Sequence, residues 1–153
     1  MPRRAGRPGP LLLPASLIDA ATQQAYRDTE YRVQAAPPFS LAVGQPSAAL
    51  AAAHKRHGVR CSAFISACNP LSQPLDEAAN AQLHAALGRQ LTQRSLKFLQ
   101  GLGQHPTNGW PGEASWLVFG LTRESAKALG TRLRQNAILW AGADATPQLV
   151  LLR

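Results

Sequence analysis

Apolar residues recur at helical spacing in four segments of the chain, and each segment begins beside a residue that can cap a helix. Ser16 with Asp19 fits the S-x-x-D capping pattern and predicts a helix over about 17–29. The other three helices are predicted behind Ser47, Asp76 and Thr122, over 48–57, over 77–94 and from 123 onward.

Residues between these helices alternate between apolar and polar positions or form short apolar runs, which predicts β-strands. The strands fall at 31–35, 39–43, 60–67, 97–100, 115–121, 136–141 and 148–152, and the glycine- and proline-rich stretch 101–113 is predicted to be a loop. The run 60–67 is apolar on both faces and is predicted to be a central strand. The element order predicts an α+β fold, a single domain with a mixed β-sheet and about four helices packed on it.

The composition changes this picture only at the N-terminus. The chain has 153 residues, of which 45% are hydrophobic and 16% charged, and this suits one globular domain over 16–153. Residues 1–15 carry three arginines among prolines and glycines and are predicted to be a disordered basic arm.

No membrane partner, cofactor or metal is predicted. No apolar run approaches the ~20 residues that span a bilayer. His54 and His57 share a helix face, but the two basic residues between them oppose a cation, so a solvated basic helix end is the preferred interpretation. Cys61 and Cys68 are too far apart along one predicted strand to form a disulfide, and this favours a cytoplasmic location.

The formal net charge of +8 directs attention to anionic partners. On the last predicted helix, Arg123, Lys127 and Arg134 fall within about 40° of one another at 100° per residue. This basic stripe, with the N-terminal arm, makes nucleic-acid binding one alternative function. It is not the favoured one, because the other charges are scattered along the chain.

A group of amide and hydroxyl side chains is expected where the central strand ends and the following helix begins. Asn69, Ser72 and Asn80 lie there, and Gln135 and Asn136 follow the last helix at what we expect to be the same sheet edge. Such groups bind small polar or anionic ligands, although they are also ordinary turn and capping residues. The leading hypothesis is a binding or interaction domain in which these residues and Glu113 form a small-ligand pocket at this end of the sheet.

An enzyme remains the second alternative, with a hydrolase-like site in the long loop. Glu113 could orient His105 for general-base chemistry, with the Ser115 hydroxyl as its target, under a loop that carries Trp110. Whether these residues meet is not fixed by the sequence.

Four stretches of the chain resemble a bacterial family known as domain of unknown function 3293. They are FSLAVGQPSAAL, AFISACNPLSQPLDEAAN, GEASWLVFGL and ALGTRLRQNAILWAGADATPQLVLL, and the resemblance extends over about residues 16–152. It implies a fold and a set of candidate positions, but no reaction.

This chain differs from the family pattern at three positions. The resemblance implies a Glu directly before the helix asparagine Asn80 and an Arg four residues after it, where this chain has Ala79 and His84. It also implies a Gly at the position of Arg134. Part of a capping box or site in relatives is therefore expected to be missing here.

Overall fold

The computed structural model describes residues 16–153, so the prediction of a basic arm over residues 1–15 lies outside the described part. The helices are α1 (Ala20–Asp28), α2 (Ala48–Arg56), α3 (Glu77–Gln93) and α4 (Arg123–Arg132). The strands are β1 (Glu30–Val33), β2 (Phe39–Leu41), β3 (Ser62–Ile65), β4 (Lys97–Gln104), β5 (Glu113–Phe119), β6 (Ala137–Ala141) and β7 (Gln148–Leu151). The predicted element order and the single α+β domain are confirmed. None of the helices in the described part is long and apolar enough to cross a bilayer.

The seven strands form one sheet in the order β2-β1-β4-β5-β3-β6-β7. All six neighbouring pairs are antiparallel, whereas the alternation of helices and strands predicted a mixed sheet. The reason is that the crossovers through α3 and α4 each skip one strand. Helix α3 joins β3 to β4 with β5 between them, and α4 joins β5 to β6 with β3 between them. Strands joined by a crossover run in the same direction, but an antiparallel strand separates them, as in the split β-α-β arrangement.

The sheet buries a separate apolar cluster on each face. Helices α3 and α4 cover one cluster, in which Leu87, Leu91 and Leu129 pack against β3, β5 and β6. The second cluster contains Leu50 of α2 and Phe64 of β3. Every residue of β3 is buried, which confirms the prediction of a central strand.

Three of the four predicted N-caps are confirmed. Ser47, Asp76 and Thr122 each accept a hydrogen bond from a backbone N–H three residues later. The first helix differs, because Asp19 is its cap and it starts at Ala20 rather than at 17. The hydroxyl of Ser16 instead accepts a hydrogen bond from the N–H of Ile18.

Strand β4 extends four residues beyond its predicted end, and the predicted loop over 101–113 shortens to 105–112. One of the glycines that suggested a loop, Gly101, serves a close approach instead of a turn. A Cβ on Gly101 would lie 2.5 Å from the ring of Phe64 and 3.0 Å from the carbonyl oxygen of Arg32. Only glycine fits at this point of the sheet.

Helix α4 ends in a Schellman motif at Arg134. The N–H of Gln135 donates to the carbonyl of Gly130, and the N–H of Arg134 donates to the carbonyl of Thr131, both at 3.0 Å. Arg134 has φ +58°, a left-handed conformation that favours glycine. The glycine that the family pattern implies here suits this backbone better than arginine does.

The close approach at Gly101 predicts a contrast between two glycines of β4. We expect Gly101→Ala to lower the free energy of unfolding by about 1–3 kcal/mol, because the added methyl group overlaps Phe64 and a backbone oxygen. Gly103→Ala is the matched control, since its Cβ would meet nothing closer than 3.7 Å. Urea titration of both variants measures the difference, and equal stability of the two would contradict this account of the sheet.

The left-handed residue at the end of α4 predicts a stabilising substitution. Arg134→Gly should raise the free energy of unfolding by about 1 kcal/mol, because glycine adopts this conformation without a Cβ clash. Arg132→Gly, at the last helical residue, is the control and should be neutral or destabilising. Thermal unfolding followed by circular dichroism distinguishes the two, and a loss of stability in Arg134→Gly argues against the motif.

Candidate functional site

The chain leaves β3 through a turn that two asparagines hold together. The backbone N–H of Asn69 donates to Oδ1 of Asn80 at 2.9 Å, and Nδ2 of Asn80 donates to Oδ1 of Asn69 at 2.8 Å. Oδ1 of Asn69 also accepts from the N–H of Leu75 at 2.9 Å. Both amides are therefore committed to fixing the turn against the first residues of α3.

The backbone of this turn is strained. Asn69, Leu71 and Ser72 have φ values of 47°, 58° and 58°, all in the left-handed region and none of them glycine. The N–H of Leu71 donates to the carbonyl of Arg134 at 2.7 Å, which attaches the turn to the end of α4. Such conformations persist only where the surroundings over-determine them, and they concentrate at functional sites.

Asn136 connects the same turn to both ends of the described chain. Its Nδ2 donates to the hydroxyl oxygen of Ser72 at 2.6 Å and to that of Tyr26 at 3.2 Å. Its Oδ1 accepts from the Arg153 guanidinium at 2.9 Å. Gln135 is buried beside it, and its Nε2 donates to the carbonyl of Cys68 at 3.1 Å.

Glu113, the first residue of β5, brings a carboxyl group to this network. Its Oε2 accepts a hydrogen bond from Nδ2 of Asn69 at 3.0 Å. Burial raises the pKa of Glu113, while the hydrogen bond from Asn69 and the nearby Ser66 hydroxyl oppose the increase. No Lys, Arg or His among residues 16–153 lies within 4 Å of this carboxylate. A partly buried carboxyl group without a cation is unusual for a purely structural residue.

The geometry divides the predicted ligand-binding residues by role. In Asn69, Asn80 and Asn136, both the amide oxygen and the amide nitrogen form hydrogen bonds within the protein. In contrast, Oε1 of Glu113 has no hydrogen-bond partner among residues 16–153. The hydroxyl of Ser72 accepts from Asn136, and its own proton has no acceptor in the same range. Only the amide nitrogen of Gln135 is bonded, so its Oε1 is open within the same residues. Ligand binding by this set stays a prediction, but these three groups are the ones left open. We call this region, where β3 ends and β5 and β6 begin, the polar end.

The residues proposed for catalysis do not form a reactive group. Nδ1 of His105 accepts from the N–H groups of Thr107 and Asn108, so it organises its own loop. Ser115 is buried and donates to the backbone carbonyl of Glu113. Within the described residues, no hydrogen bond joins His105 or Ser115 to the Glu113 carboxylate, and Trp110 lies 53% exposed in the loop.

The predicted basic stripe is wrong at one of its three positions. Arg134 lies beyond the C-cap of α4, in a left-handed conformation, so helical spacing does not align it with the others. Arg123 and Lys127 remain one turn apart, and Nζ of Lys127 lies 4.0 Å from the Glu124 carboxylate.

The two histidines of α2 also differ from the prediction. His54 is not solvated but 4% exposed, its Nε2 lies 2.7 Å from the hydroxyl of Ser62, and burial lowers its pKa. The His57 ring stacks on Phe119 at 4.0 Å between ring centres. Both side chains serve the core, and no three His, Cys, Asp or Glu residues in 16–153 are arranged to hold a metal ion.

His84 occupies the position where the family pattern implies an arginine. Its ring stacks on Trp116 at 4.1 Å, its Nε2 lies 2.9 Å from Oε1 of Gln100, and its Nδ1 is buried without a partner. Because side chains alternate along β5, Trp116 and Glu113 point to opposite faces of the sheet. His84 is therefore separate from the polar end.

Sequence reasoning missed several members of the network at the polar end. Tyr26 and Arg153 contact Asn136 but lie at opposite ends of the described chain, and no local pattern connects them. Ser66, the residue after β3, donates to the carbonyl of Ala114 and accepts from the N–H of Cys68, so it fixes the start of the turn. The sequence signal that could have identified Ser66 is its position near the end of the predicted central strand.

An open groove of about 700 Å³ lies along the outer side of α3. Its lining is mostly apolar and includes Leu75, Ala79, Leu83 and Ala86. Leu75 connects it to the polar end, because its N–H is bound to Asn69.

Comparison with known proteins finds a matching family for the central part of the chain. The sequence model of a family described as "Protein of unknown function (DUF3293)" matches residues 65–138, from the last residue of β3 to the second residue of β6. No curated protein and no solved structure matches the chain. The matched stretch contains both crossovers of the split β-α-β arrangement and the residues Asn69, Asn80 and Glu113. The resemblance to this family of proteins of unknown function is therefore confirmed over residues 65–138.

Proposed function

We propose that the protein is a binding domain that takes a small polar ligand at the polar end of its sheet. The observation that carries the proposal is the Glu113 carboxyl group, which is partly buried, held by Asn69 and without a cationic partner among residues 16–153. Removing a carboxylate from water costs free energy, and a ligand that donates hydrogen bonds to it returns part of that cost.

The charge of Glu113 restricts the chemistry of the ligand. The sequence suggested a small polar or anionic ligand, but an anion placed beside this carboxylate would be repelled. An ammonium or guanidinium group suits it, because a charged donor to a carboxylate forms the stronger class of hydrogen bond. We therefore propose a small organic cation, with Oε1 of Glu113 as its acceptor.

The surroundings of Glu113 support binding of a ligand that also has an apolar part. Four large hydrophobic side chains of residues 16–153 are exposed, and all four belong to segments at the polar end: Leu17, Leu71, Leu75 and Trp110, with exposures of 75%, 39%, 41% and 53%. Exposed apolar groups around a few fixed polar groups are typical of ligand sites.

The enzyme alternative has less support than binding. That alternative needs the Glu113 carboxylate within hydrogen-bond reach of His105 or Ser115, and within residues 16–153 no hydrogen bond joins it to either side chain. The Asn69 amide that binds Glu113 does not exchange protons near neutral pH, and burial raises the pKa of the nearby Cys68 thiol and Tyr31 phenol.

A cytoplasmic location is part of the same proposal. Its support is that Cys61 and Cys68 are both free thiols, as expected of a protein in a reducing compartment.

The proposed ligand class predicts a selective thermal stabilisation. Methylamine, agmatine and spermidine should be compared with acetate, phosphate and citrate by thermal shift near neutral pH. We expect at least one cation, in saturating excess, to raise Tm by several degrees, because a ligand at about 100 times its Kd adds about 2.7 kcal/mol. Glu113→Gln should abolish this shift.

Glu77→Gln is the matched control for the ligand screen. It removes the same charge from an exposed residue in the first turn of α3 and should leave the shift unchanged. Stabilisation by the anions alone, or an equal cation effect in Glu113→Gln, would refute a cation site at Glu113.

The buried carboxyl group also predicts a pH dependence of stability. Because burial raises the pKa of Glu113 above its value in the unfolded chain, the folded state binds more protons over that range, and its stability falls as pH increases. Glu113→Gln should match the wild type at a pH below the ordinary carboxyl pKa and exceed it near neutral pH. Gln retains an oxygen that accepts from Asn69.

Urea titrations of the wild type, Glu113→Gln and Glu77→Gln across this pH range measure the effect. Only the Glu113 variant should gain stability relative to the wild type as pH increases. A gain of the same size in both variants would show a general charge effect and not a buried carboxyl group.

A further inference from the structure

The acidic residues of the protein are concentrated at one end of the strands, whereas cations lie at both ends. Of its eight acidic residues, six lie in segments at the polar end: Asp19, Asp28, Glu30, Asp76, Glu77 and Glu113. The opposite end, where β3 and β4 start and β5 finishes, holds only Glu124 and Asp144. The fold therefore leaves the opposite end with two acidic residues.

Six cations converge on this opposite end, which we call the basic end. They are Lys55, Arg56, Arg60, Arg94, Lys97 and Arg123. Phe119 brings their segments together, because it pairs with Lys97 on β4 and with Ser62 on β3, while His57 stacks on its ring. Strands β4 and β3 are two strand spacings apart, so their starting points lie about 10 Å from each other.

The cations of the basic end are not neutralised by the protein. Within residues 16–153, the ion pairs are Arg32 with Glu30 and Lys127 with Glu124, and neither includes a residue of this group. Five of the six are exposed, and Arg123 is partly exposed. The excess positive charge is therefore available to a partner.

Helix stability does not explain half of this group. Lys55, Arg56 and Arg94 lie at the C-termini of α2 and α3, where cations are favourable. Arg60 and Lys97 belong to no helix, and Arg123 is the first residue of α4, where the helix dipole disfavours a cation. The positive charges of Arg60, Lys97 and Arg123 are therefore not explained by stabilisation of a helix.

We propose that the basic end binds the phosphodiester backbone of a nucleic acid. Four of its six cations are arginines, whose guanidinium groups form paired hydrogen bonds with phosphate oxygens. An anionic membrane is the less suitable partner, since stable attachment to a bilayer also needs inserted apolar side chains. The exposed large hydrophobic residues of 16–153 all lie at the other end of the sheet. This site is independent of the one proposed at Glu113.

Fluorescence anisotropy with a labelled single-stranded RNA of about 20 nucleotides, between about 50 and 200 mM KCl, tests the proposal. The logarithm of the affinity should fall linearly with that of the salt concentration. The full-length triple variant Arg60→Gln, Lys97→Gln and Arg123→Gln should bind about tenfold more weakly or worse, and the slope should decrease by about 2, at about 0.7 for each phosphate contact.

The matched control removes three cations elsewhere, by Arg27→Gln, Arg132→Gln and Arg134→Gln, and should bind nearly as the wild type does. Both variants are checked by thermal unfolding, and Arg60→Glu alone replaces the triple variant if the latter does not fold. Three results would overturn the proposal: no salt-dependent binding, an equal loss in the control, or binding to phosphatidylserine vesicles without binding to RNA.

Discussion

The antiparallel pairing of β3 with β5 is the constraint on which the other features depend. Strand β5 lies between β3 and β4, which α3 joins. Strand β3 lies between β5 and β6, which α4 joins. The register of β3 and β5, with Ser62 opposite Phe119 and Ile65 opposite Trp116, fixes what meets at either end of the sheet. At one end it brings the turn at Asn69 to Glu113. At the other it brings the segments of Arg60 and Arg123 together.

The secondary structure was predictable because its signals are local. Ser47, Asp76 and Thr122 cap helices through contacts three residues away, so the sequence pattern contains the whole interaction. The antiparallel sheet was not predictable in the same way, since the order of strands depends on which strand the crossovers skip. The end of β4 was mistaken because a glycine beside a ring and a glycine in a turn are identical in sequence.

The candidate site was predictable in its position and less so in its roles. The sequence indicated that Asn69, Asn80 and Glu113 follow or precede neighbouring strands, and hydrogen bonds connect them. It could not show that the asparagines are fully occupied while one carboxylate oxygen is open, because that depends on side-chain orientation. The alignment of Arg134 with Arg123 failed for a comparable reason, since the spacing rule holds only inside a helix.

The separation of charge has a consequence for handling the protein. The basic end carries six cations against two acids, whereas the polar end carries six acids together with Arg132, Arg134 and Arg153, so the molecule has an electric dipole along its strands. On a negatively charged resin or sensor surface at low salt, it adsorbs through the cationic pole and turns Glu113 toward the solution. The same adsorption weakens as the Debye length shortens with added salt.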